Sequence, residues 1–91
     1  MAFLDWARLK DQDGRDYVIH VVPAEKWVHS DLAWLYRSLS AMDSTPLVLM
    51  CDTPQMDESG EVFPCAGPAQ LQIAVLRLCL PDVRWQELSL P

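Results

Sequence analysis

Residues 17–51 decide the fold and read YVIHVV (17–22), PAEKWVHSDLAWLYRSLSAM (23–42), DSTP (43–46) and LVLMC (47–51). The first segment is rich in β-branched residues and, His20 apart, apolar on both faces, as expected of a strand covered from two sides. Pro23 suits a first helical turn and Glu25 the positive end of a helix. Val28, Leu32, Leu35, Leu39 and Met42 then recur at spacings of four and three, which predicts a helix. Asp43-Ser44-Thr45-Pro46 stops it, and the short apolar run 47–51 predicts a buried strand.

Upstream, Asp11-Gln12-Asp13-Gly14 separates the alternating runs 3–10 and 17–22 and predicts a hairpin, because Asp-Gly supplies the positive φ of a tight turn. Downstream, residues 52–60 read as a polar loop, 61–65 as a short edge strand limited by Pro64, and 83–90 as a last strand. Gly67-Pro68 opens a second helix that runs to Leu80 and stops at Pro81. One α+β domain over residues 1–91 follows, a two-layer sandwich of two helices on a four- to five-stranded sheet. After the N-terminal arm its elements have the β-α-β-β-α-β order of ferredoxin-like folds. That sheet would already flank strand 17–22 on both sides and leave the arm unpaired. The alternative is a compact α/β sheet whose strands 17–22 and 47–51 are parallel neighbours joined through the first helix.

The chain has 91 residues, 51% of them hydrophobic, and 13 acids against 7 Lys and Arg, for a net charge of −6. Nucleic acids and anionic membranes are therefore poor partners, since both demand clustered cations. No apolar run approaches the roughly 20 residues of a spanning helix, and Asp5 interrupts any secretory signal, so a cytoplasmic location is expected. Cys51, Cys65 and Cys79 stand fourteen apart without a CxxC pair, which argues against a disulfide scaffold or structural zinc. Asp11, Asp13 and Asp16 mimic a calcium loop but lack its glycine position and closing carboxylate. No phosphate loop, catalytic triad or cofactor motif is present, so no cofactor is expected and an enzyme is unsupported.

The charge is one-sided. Residues 1–42 hold six acids and five bases, whereas residues 43–91 hold seven acids and only Arg77 and Arg84. Asp52, Asp57, Glu58 and Glu61 crowd one loop, as a surface complementary to a basic protein would. At about 100° per residue Trp27 and Trp34 flank the apolar stripe of the first helix, either closing the core or anchoring a partner. The second helix carries two opposed stripes, Leu71, Ala74, Val75, Leu78 and Ile73, Leu76, Leu80. A sheet covers one, and the first helix, the N-terminal arm or another molecule, in the simplest case a second copy, must cover the other.

The function expected from these features is that of a small acidic protein-binding module. It would regulate or inhibit a larger partner through the loop acids and a surface drawn from Trp27, Trp34, Ile73, Leu76 and Leu80. Two alternatives stand beside it. One is a thiol-dependent enzyme centred on Cys65, whose place before the second helix would favour the thiolate. The other is a homodimeric sensor holding a ligand between helix and sheet.

Overall fold

The computed structural model describes residues 2–58, 60–78 and 82–90. Strands β1 (Ala2–Lys10) and β2 (Asp16–Val22) form the predicted antiparallel hairpin, with Trp6 opposite His20 and Arg8 opposite Val18. After a 3₁₀ turn at Ala24–Lys26 comes α1 (His29–Met42), then β3 (Leu47–Cys51), which lies parallel to β2 as its direct neighbour. A separate two-stranded hairpin, β4 (Gln55–Asp57) and β5 (Gly60–Val62), precedes β6 (Cys65–Ala66), which returns antiparallel to β3. Helix α2 (Ala69–Leu76) and β7 (Gln86–Leu90) complete a mixed five-stranded sheet of order β6-β3-β2-β1-β7.

This sheet is not the ferredoxin-like one, which would place an antiparallel strand between β2 and β3. The N-terminal arm has its own place between β2 and β7, which removes the conflict raised by the sequence. Nor do both helices share one face. Leu35 and Leu39 of α1 pack with Leu4, Val18, Val22, Leu47 and Leu49, whereas Leu71 and Val75 of α2 pack with Tyr17, Ile19, Val48 and Met50. Successive residues of a strand point to opposite faces, so β2 and β3 feed both clusters. All five residues of β3 are buried. The two-sided apolarity of these strands follows from a helix on each side rather than from a two-layer sandwich.

Several element bounds also move. Pro23 has φ −57° but an extended ψ of 143°, so it caps a 3₁₀ turn closed by Lys26 N–H to the Pro23 carbonyl, and α1 starts only after the extended Val28. Helix α2 ends earlier than expected, and the last strand begins at Gln86 rather than Val83. Cys79, Leu80 and the stop at Pro81 lie outside the described residues. No helix among the described residues is long and apolar enough to cross a membrane.

Candidate functional site

The acidic stretch is not a loose loop. It folds into the β4–β5 hairpin, inserted between β3 and β6 and forming a sheet of its own. Gly60 leads β5 at φ +116°, a value that favours glycine where the chain reverses. Met56 and Glu61 are cross-strand partners, hence on one face, and both are exposed, Met56 at 76%. Glu58 is exposed at the tip. The described ion pairs, Arg8 with Asp43 and Lys10 with Asp16, involve neither Glu58 nor Glu61. Asp52 is committed elsewhere: its Oδ1 accepts from the Ala24 N–H at 3.0 Å and from the Thr53 hydroxyl at 2.9 Å, tying the end of β3 to the chain leaving β2. Asp57 is exposed on β4.

The apolar candidates are dispersed. Trp27 lies in the 3₁₀ turn rather than on α1 and packs partly buried against the core beneath that helix, while Trp34 is 52% exposed on α1. They are not a flanking pair on one helix, because α1 starts only after the extended Val28. On α2, Ile73 and Leu76 are more than half exposed. Helix α1 cannot cover them, since it lies across the sheet. Ile73 borders a crevice against Asp11, Gln12 and Asp13 of the β1–β2 turn, with Gln70, Ala74 and Arg77. The remaining stripe residue, Leu80, lies outside the described residues.

Cys65 belongs to β6, donates its S–H to the Phe63 carbonyl at 3.4 Å and is pushed up in pKa by burial. Desolvation therefore outweighs the helix end that would favour a thiolate. Iodoacetamide should alkylate Cys65 more slowly than a free thiol at neutral pH, and a faster reaction would restore the thiol-enzyme reading.

A second feature was not legible as a site in the sequence. At the C-terminal end of α1, a cleft of about 210 Å³ is lined by Trp6, Val18, His20, Leu39, Met42, Asp43, Thr45 and Leu47. His20 is only 7% exposed, and its Nδ1 is buried without a hydrogen-bond partner. The indole of Trp6 stacks beside it, with centroids 6.3 Å apart and planes at 24°. Burial lowers the His20 pKa to about 4 against a weaker opposing pull from the Asp43 carboxylate, so the ring is neutral at pH 7. A buried nitrogen left unpaired costs about 1–3 kcal/mol.

The cleft rim is polar and rigid. The Thr45 N–H and hydroxyl both donate to Asp43 Oδ1, at 2.9 and 2.8 Å, and Arg8 Nη2 donates to Asp43 Oδ2 at 2.9 Å. With Thr45 contributing most, these bonds hold the Asp43 carboxyl below the usual carboxylate range. The chain matches no protein-family model, and no curated protein or solved structure is significantly similar to it.

Proposed function

We propose that this protein acts by association, as a small acidic module that regulates or inhibits a larger protein. The supporting observation is the β4–β5 hairpin, which stands outside the main sheet and sets an exposed methionine beside the exposed carboxylates of Glu58 and Glu61. Met56 is a flexible, polarizable anchor of the kind that adapts to an apolar pocket. Glu58 and Glu61, with Asp57 on the same hairpin, would steer the hairpin toward a basic rim, raising the association rate more than the final affinity. Trp34, Ile73 and Leu76 are further contact candidates, whereas Trp27 serves the core and Asp52 the fold.

The test is affinity capture from an extract of the native host with the wild type and the variant Met56→Ser/Glu58→Lys/Glu61→Lys. A stoichiometric partner should be recovered at low salt, bound about tenfold more weakly by the variant and less tightly as salt rises. Absence of a partner, or capture that the variant leaves unchanged, would defeat the proposal. Light scattering of Leu76→Glu reads the helix surface separately. A fall in mass relative to the wild type would identify that face as a homodimer contact instead.

A further inference from the structure

The main sheet ends differently on its two sides. At one edge β6 is two residues long, with Pro64 before it and Pro68 just beyond, which is how proteins blunt an edge. At the other, β7 has five residues without proline or lysine, and among the described residues it pairs with β1 alone. The loop bond from the Asp11 N–H to the Arg15 carbonyl fixes which of its groups face outward. Bonded and non-bonded pairs alternate along an antiparallel ladder, so Leu9, Ala7 and Asp5 bond to β2, while Leu4 and Trp6 bond to Leu88 and Gln86 of β7. The backbone N–H and C=O groups of Glu87 and Ser89 therefore point away from the sheet. No described turn or loop bond engages them.

We propose that the β7 edge accepts an extended segment of a partner protein as a further antiparallel strand, with Lys or Arg opposite Glu87. Donors and acceptors that recur at every second residue are answered in full by another strand, as in β-augmentation. Charge selects the strand. Glu87 lies directly opposite Asp5 of β1, and both are exposed on one face of the sheet, where like charges repel. The described ion pairs commit Arg8 and Lys10 of β1 to Asp43 and Asp16, and Arg84 stands outside the strand. A basic side chain opposite Glu87 would share the face of both carboxylates and offset their repulsion, whereas an acidic one would add to it. A second copy of the chain would bring its own Glu87 and a further net charge of −6 to the same edge, which makes it the poorer occupant. This edge is separate from the β4–β5 hairpin, and its occupancy does not depend on what the hairpin binds.

The experiment is an NMR titration of the full chain at low salt, following backbone amides, with the peptide Ac-Thr-Val-Lys-Val-Thr-NH₂ as probe. Its counterparts carry Glu in place of the central Lys, or N-methyl groups on the first and third residues. The Lys peptide should saturate with a dissociation constant on the order of 1 mM, since a free peptide loses backbone freedom on pairing. The amide protons of Glu87 and Ser89 should move downfield as they gain acceptors, and those of Gln86 and Leu88, already bonded to β1, should move less. The Glu peptide should bind about fivefold more weakly, a difference that salt erodes, and the N-methylated peptide should not bind. Glu87→Lys should reverse the preference between the Lys and Glu peptides.

Shifts that do not saturate or that map away from β7, binding that survives N-methylation, or a Glu peptide that binds as well as the Lys peptide would overturn the proposal. So would a chain that is dimeric without peptide and whose Glu87 and Ser89 amides are already protected from hydrogen exchange, which would make the occupant a second copy. The amide shifts and the peptide comparison are read on the unaltered protein, so they decide the matter even if Glu87→Lys does not fold.

Discussion

Gly67→Ala is expected to lower stability by about 3 kcal/mol, a large share of the few kcal/mol that hold a domain of this size together. Gly67 sits at φ +138° between β6 and α2, in a region that side chains rarely adopt. A Cβ there would also lie 3.0 Å from the Leu47 carbonyl oxygen and 3.3 Å from the Val48 Cα. Those atoms belong to the backbone of β3, buried between the two helices, so neither can yield cheaply. The close approach brings Ala66 opposite Leu49 and lets the Gln72 amide donate to the Gly67 carbonyl at 2.7 Å. Gly14→Ala is the control. Gly14 also has a positive φ, +78°, but open space around its missing Cβ, so its loss should be nearer 1 kcal/mol. Urea unfolding of both variants measures the difference. A Gly67→Ala loss no larger than that of Gly14→Ala would show that the β3 contact is not tight.

The comparison of these glycines shows what a sequence can and cannot carry. Asp13-Gly14 announces a turn, yet reading the pair as the two central residues of a tight hairpin would place Trp6 opposite Val21. In the structure the Asp11 N–H bonds to the Arg15 carbonyl and the Gly14 N–H to the Asp11 carbonyl, which makes a three-residue loop. The Asp11 carboxylate secures it by accepting from the Asp13 and Arg15 N–H groups. That one residue shifts the register and exchanges the faces of the strand, and it is what sets Trp6 opposite His20. A site made by cross-strand register was thus beyond a reading of local pattern.

The central β-α-β unit was legible because strand and helix periodicities differ sharply and because Pro46 and the Asp43–Thr45 hydrogen bonds separate them. The sides on which the helices pack were legible only in part. Apolar residues on both faces of β2 and β3 signalled two covers, but the familiar element order pointed to one. The acidic stretch was visible as charge and missed as structure, since a three-residue strand such as Gln55–Asp57 is too short to show an alternation. Met56 carries no sequence signal for the same reason. A lone methionine among polar residues has no periodic neighbours, so only its exposure marks it.

His20 gives the fold a pH dependence of its own. Its folded pKa of about 4 lies below the value near 6.5 of an exposed imidazole. Between these two pH values the unfolded chain binds the extra proton and the folded chain does not, so stability rises with pH through this window and is complete above it. On acidification from about pH 6.5 toward pH 4 the wild type should lose on the order of 2 kcal/mol from this group. The full conversion of the shift is larger, but one side of the ring borders the open cleft, where solvent softens the desolvation. His20→Phe should remove that slope while leaving the loss at lower pH, where Asp43 becomes protonated and releases its bonds to Thr45 and Arg8. Urea unfolding of both proteins from about pH 7 to about pH 4 isolates the His20 contribution, because the loss from Asp43 falls below that range. Stability at neutral pH also carries the packing difference between imidazole and phenyl, so the diagnostic quantity is the difference in slope. Parallel curves across the window would mean that the imidazole takes up its proton in the folded state, and hence that burial does not hold it neutral.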